Sequence, residues 1–158
     1  KVYEFLDKVM TQVAALFPFE YIHVGGDECP KNYWEKSDAV KALMQKEGLK
    51  NMEEVQSYFE KRLEKIVESK GKKFLGWDEI LEGGLAPSAA VMSWRGVKGG
   101  IEAASLKHDV VMRPPTYAYI DSMQFDLIVD PRTYDAWRLN KSYVFDLGPP
   151  GVRPTLDK

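Results

Sequence analysis

Two acids stand side by side at Asp27 and Glu28, directly after Gly25 and Gly26. Paired carboxyl groups can do general acid and base work, one moving a proton while the other orients a reacting group or carries charge. In a regular strand, neighbouring side chains point to opposite faces. For both acids to serve one centre, the strand that begins near Tyr21 must end at the glycines, which let the backbone turn sharply.

Three further stretches carry chemistry of the same kind: Trp77-Asp78-Glu79, Ser93-Trp94-Arg95 and Tyr117 to Asp121. Each follows a short β-type run, and in parallel α/β folds ligands are met beyond the carboxyl ends of the strands. Acids combined with aromatic platforms suit a sugar, whose apolar ring faces stack while its hydroxyls take charge-assisted hydrogen bonds. A plainer reading has Asp27 and Glu28 simply favouring the positive end of the next helix. The Gly-Gly turn and the aromatics on other strands favour the functional one. The adjacency also constrains mechanism. A conventional glycosidase pair flanks the anomeric carbon, about 5 Å apart for retention and about 6.5 to 9.5 Å for inversion. Sequence neighbours fit better with one acid protonating the leaving oxygen while the substrate supplies its own nucleophile.

The elements that would position these residues can be read from periodicity. Val2, Phe5, Leu6, Val9, Met10, Val13 and Leu16 recur at helical spacing and form one apolar face, stopped by Pro18. "YIHVGG" reads as a short strand. A helix over 37–48 has Ser37 as N-cap and Gly48 as its stop. The next helix starts at Asn51, with Glu54 three residues on and Val55, Tyr58, Phe59, Leu63, Ile66 and Val67 to one side. Its charge run from Glu60 to Lys73 alternates in sign and reads as a solvated face. "KFLGWDEI" and "AAVMSWRG" follow as strands, "GGIEAASLKHD" as a short helix, and "VVMRPPTYAYID" as a strand running into a loop. Helix and strand alternation of this kind argues for βα units and a parallel sheet or barrel wall. After Asp121 the Pro-rich, aromatic tail has no periodicity and reads as a long loop.

Bulk composition narrows the class. The 158 residues suffice for one domain with a sizeable core. With 22 basic against 24 acidic residues, interspersed, no field exists to recruit nucleic acid or an anionic membrane. No apolar run approaches the roughly 20 residues that span a bilayer. Cys29 is the single cysteine, which excludes an internal disulfide, and it reads as a small packing residue. His23, Asp27, Glu28, Asp78 and His108 match no strong metal-ligand spacing.

The ordered set "HVGGDE" at 23–28, "GWDEIL" at 76–81, "VMSWRGVKGGIEAA" at 91–104, and "VVM" followed by "YID" at 110–121 resembles the catalytic barrel of glycoside hydrolase family 20, the β-N-acetylhexosaminidases. The resemblance covers about residues 1–148. It implies an α/β fold, a partial (β/α)8 TIM barrel holding about strands four to seven with their helices. It also implies hydrolysis of terminal N-acetyl-β-hexosamine residues from glycans, with no cofactor or metal. In this family the substrate's 2-acetamido carbonyl attacks the anomeric carbon and the product retains its configuration. By similarity Glu28 is general acid and then base, and Asp27 orients the acetamido group. Tyr119 donates to the acetamido carbonyl, with Tyr117 as the alternative if the loop register is shifted, and Asp121 holds sugar hydroxyls. Trp77 and Trp94 wall the acetamido pocket. His23 points into the barrel in a mainly structural role. Asp78 and Glu79 either touch ligand or support the strand end and the next helix, and Arg95 pairs with a barrel carboxylate.

Against the family pattern, the first three βα units and the last are absent, so residues 1–158 read as one segment of a barrel. Such a segment exposes strand edges and is expected to meet the remaining barrel units of its parent chain, or to self-associate. A non-catalytic carbohydrate-binding segment is the alternative to an enzyme. The family's bacterial members suggest a periplasmic or secreted location.

Overall fold

A computed structural model describes residues 1–119 of the chain. These fall into two units, residues 1–93 with 97–112, and residues 94–96 with 113–119.

The first unit is a parallel sheet backed by helices. Helix α1 (Val2–Leu16) leads into β1 (Tyr21–His23), then come α2 (Asn32–Lys36), α3 (Asp38–Glu47) and α4 (Met52–Glu68). Strand β2 (Lys73–Trp77) ends in a 3-10 turn at Asp78–Leu81, followed by β3 (Ala90–Ser93), α5 (Lys98–Ser105) and β4 (Val110–Met112). The strand order is β1-β2-β3-β4, every pairing parallel, with Ile22 opposite Phe74, Gly76 opposite Val91, and Val91 opposite Val110. Each strand thus lies beside the next one in sequence, which is how the wall of a (β/α) barrel is laid down.

Strand alternation sorts the side chains. Ile22, Phe74 and Val91 turn toward the helices and join Leu63 and Val67 of α4, Ile80, and Ala103 of α5 in one buried cluster. Phe74, Val67 and Val91 are wholly excluded from solvent. The opposite face carries Tyr21, His23, Leu75, Trp77, Met92 and Val111 by the same alternation. Beneath it, at the start of the strands, the Tyr21 hydroxyl donates to Asp109 Oδ2 at 2.8 Å.

Local signals explain the helix boundaries. Ser37 Oγ accepts from the Val40 amide at 3.4 Å, and Gly48, at φ 70°, ends α3 in the left-handed conformation. Asn51 Oδ1 accepts from the Glu54 amide at 2.8 Å, while the Glu54 carboxylate reaches back to the Lys50 amide at 2.8 Å. This closes the first turn of α4 reciprocally, one residue wider than a standard capping box.

Three sequence expectations need correction. On α1, Leu6, Met10 and Val13 pack on the core, whereas Val2, Phe5 and Leu16 are exposed, because the seven apolar positions span a wider arc than the face turned to α4. On α4 the charged run is not uniformly solvated: Glu60 and Glu64 are buried, together with Gln56 and Ser57. Glu64 Oε1 accepts from both the amide and the hydroxyl of Ser88, at 2.8 Å each, which supplies the partners a buried carboxylate needs. The third concerns "VVMRPPTYAYID", whose strand stops at Met112. Prolines cannot donate to a sheet ladder but suit a first helical turn. In the second unit, accordingly, Pro115 opens the short helix α6 (Pro115–Ala118). Among the described residues no helix is long and apolar enough to cross a membrane.

Candidate active site

The site begins where β1 stops being a strand. The Val24 amide still donates to Leu75 O and the Trp77 amide to Gly25 O, both at 2.9 Å, so the chain follows β2 for two residues beyond His23. It then leaves the sheet through Gly25 at φ 83° and Gly26 at φ 97°. At Gly26 a Cβ would also lie 2.6 Å from Ile80 Cγ2, so neither backbone nor space admits another residue. Glu28 itself has φ 45°, a conformation that costs a non-glycine residue about 1 kcal/mol or more. Positive φ at three of these four residues breaks the alternation that would have sent Asp27 and Glu28 to opposite faces. Both acids are exposed at the strand end.

His23 and Trp77 stand beside this turn. Their rings pack at 4.7 Å between centroids, tilted by 60°. His23 Nδ1 accepts from the Gly25 amide at 3.1 Å, so the neutral imidazole carries its proton on Nε2. His23 therefore steadies the turn from the sheet face opposite the helices, while Trp77 offers a half-buried ring at the end of β2.

Asp78 is buried at the end of β2, against β3 and α5. It is 2% exposed, its Oδ2 lies 3.4 Å from Ser93 Oγ, and Ser93 Oγ accepts from the Gly100 amide at 2.9 Å. A Cβ on Gly99 would touch Asp78 Cβ at 2.7 Å, so the acid is wedged against the first turn of α5, where a negative charge is favoured. Glu79 is buried as well. His108 Nδ1 lies 2.8 Å from Ala89 O, a structural bond. Among the described residues no group of three or more His, Cys, Asp or Glu side chains is clustered to hold a metal ion.

Two polar residues of α4 escaped the sequence reading. Gln56 Nε2 donates to the Gly26 carbonyl at 2.8 Å and to Glu60 Oε1 at 2.7 Å. The pair and the acid-bearing turn together line a cleft of about 310 Å³, with Asp27, Glu28, Cys29, Trp34 and Phe59 among its walls. Burial pushes the Glu60 carboxyl up to about 7, against the Gln56 hydrogen bond and Lys31, which favour its charged form. The available signal was the four-residue spacing of Gln56 and Glu60, interleaved with Val55, Phe59 and Leu63 on the apolar side of the helix.

In the second unit Trp94 is half-buried and Arg95 exposed. Tyr119 directly follows α6 and lies under the Arg113 guanidinium, 4.5 Å from its ring centroid. Tyr117 sits on α6 and is exposed. Asp121 lies outside the described residues.

Known proteins share this sequence and fold. The family described as "Glycosyl hydrolase family 20, catalytic domain" matches residues 1–151. A β-hexosaminidase of Porphyromonas gingivalis is 52% identical over 131 residues, 82% of this chain and 17% of that protein. One from Vibrio furnissii is 36% identical over 123 residues, 77% of this chain and 20% of that protein. Among solved structures, the exo-β-N-acetylglucosaminidase of Vibrio harveyi in complex with N-acetylglucosamine superposes with a TM-score of 0.71 at 36% identity, covering 77% of this chain and 19% of that one. The chain thus spans about a fifth of the length of the relatives it matches. With the family's catalytic-domain model matching residues 1–151 of the 158, the chain belongs to glycosyl hydrolase family 20.

Proposed function

We propose that the chain carries the acid-bearing part of a β-N-acetylhexosaminidase barrel, β1 to β4 being its fourth to seventh strands. The protein removes terminal non-reducing N-acetyl-β-hexosamine residues from glycans with retention of configuration. Glu28 protonates the leaving oxygen while the substrate's acetamido oxygen attacks the anomeric carbon, forming an oxazolinium ion. Asp27 accepts the acetamido N–H and so orients the attacking carbonyl and balances the charge that develops on it. Water then opens the ion as the Glu28 carboxylate takes its proton, which regenerates the acid. Trp77 and Trp94 wall the acetamido pocket, Tyr119 donates to the acetamido oxygen, and Asp121 binds hydroxyls. His23 and Asp78 act on substrate indirectly, through the turn and the α5 terminus. The protein works in the periplasm or outside the cell.

The observation that carries this reading is the turn itself. Positive φ at Gly25, Gly26 and Glu28 delivers two sequence neighbours, both exposed, to one strand end beside an aromatic ring. Such neighbours cannot flank an anomeric carbon from opposite sides, so a nucleophile within the substrate is the economical solution. The test compares hydrolysis of an aryl N-acetyl-β-glucosaminide with that of the plain aryl β-glucoside by the full-length protein and its Glu28→Gln variant. Cleavage should be confined to the acetamido sugar and fall in the variant by about 10²-fold or more for a poor leaving group. Equal cleavage of both sugars would sink the mechanism.

A further inference from the structure

We propose that Gln56 and Glu60 of α4 are positioning residues for the general acid, forming a side-chain clamp that fixes the peptide plane entering Asp27 and Glu28. The proposal rests on the hexosaminidase reading of those acids.

The sheet ladder holds the chain only as far as the Gly25 carbonyl, which accepts from the Trp77 amide. Gln56 takes hold one residue farther on, at the Gly26 carbonyl. That carbonyl belongs to the same rigid peptide unit as the Asp27 amide, so fixing its direction fixes where the chain enters Asp27. A carboxamide has two N–H bonds, and here both have acceptors, Gly26 O at 2.8 Å and Glu60 Oε1 at 2.7 Å. The Gly26 carbonyl only accepts, so Nε2 must face it, and Glu60 Oε1 takes the second N–H and holds the carboxamide in that orientation.

The pair's placement argues against a purely stabilising role. Gln56 is 7% and Glu60 5% exposed, on the helix side that also buries Val55 and Leu63. Apolar side chains of similar volume would fill that space without desolvating a carboxyl. Lys31, Lys61, Glu82 and the Gln56 amide face Glu60, and burial outweighs the favourable ones among them.

The experiment uses the full-length protein and two N-acetyl-β-glucosaminides, chitobiose with its sugar leaving group and the 2,4-dinitrophenyl glycoside. Only the first needs a proton from Glu28. Gln56→Leu should lower kcat/KM on chitobiose about tenfold or more, while the activated glycoside loses less than about threefold. Glu60→Leu should repeat this pattern, and Glu60→Gln, which keeps an acceptor for Gln56, should restore wild-type leaving-group dependence. Equal losses on both substrates, or none, overturn the proposal. If the wild type cleaves neither substrate, the hexosaminidase reading has failed and the clamp's catalytic role falls with it. The clamp alone is then judged by amide exchange at residues 26–28, which must quicken in Gln56→Leu while β2 stays protected.

Discussion

Replacing Glu60 by Gln should leave the shape of α4 intact while removing a titratable group whose burial favours its protonated form. The ordinary glutamate value of 4.5 rises to about 7 in the folded protein. Below the lower value both folded and unfolded chains hold the proton, and Glu60 costs nothing. Between the two, the unfolded chain releases its proton while the folded chain keeps it, so stability falls by about 1.4 kcal/mol per pH unit. Above the folded value the loss is complete, with a ceiling of about 3 kcal/mol, lowered by whatever water the neighbouring cleft admits. Paired urea titrations of wild type and Glu60→Gln, near pH 5 and again near pH 8.5, isolate this contribution as a difference. The variant should gain on the wild type as pH rises, by about 1 to 3 kcal/mol over that span. A difference independent of pH, or one that shrinks toward high pH, would refute the assignment of a buried, proton-holding carboxyl at this position.

Other substitutions test other parts of the argument. Gly26→Ala combines a positive φ with a Cβ at 2.6 Å from Ile80, so hydrolysis should fall at least tenfold while far-ultraviolet circular dichroism stays at the wild-type spectrum. Phe74→Ala empties a site with no solvent exposure at the centre of the sheet and should cost about 3 to 5 kcal/mol in urea unfolding. Asn51→Ala removes the acceptor for the Glu54 amide and should cost about 1 kcal/mol, read as a lower thermal midpoint with activity unchanged.

What the sequence disclosed depended on how far apart the interacting residues were. Ser37, Gly48 and Asn51 act on backbone within a turn of themselves, and their positions alone announce the ends of α3 and α4. The Gly-Gly turn before Asp27 was legible for the same reason, since the φ values that free the acids from the strand come from the glycines beside them. Glu60 and Glu64 were misread because alternating charge looks solvated until a distant partner is known. The partner of Glu64, Ser88, lies 24 residues away, and the Gly26 carbonyl that Gln56 grips lies 30 residues back. Asp78 was legible as a residue of interest, but whether it meets ligand or helix depends on Ser93 and α5, which the motif "GWDEIL" does not contain.

The hydrogen bond from Tyr21 to Asp109 joins residues at the starts of the first and last strands of the sheet, across two intervening strands. Neighbouring strands are about 4.8 Å apart, so on a flat sheet those strands would stand about 14 Å from each other, with side chains projecting upright and parallel. A tyrosine and an aspartate meet across that interval only if the surface between them bows and their side chains converge, like spokes toward a hub. The bond is thus a chord drawn beneath an arc. It lies at the end of the strands away from Asp27 and Glu28, so curvature can be held there without covering the end that carries the acids.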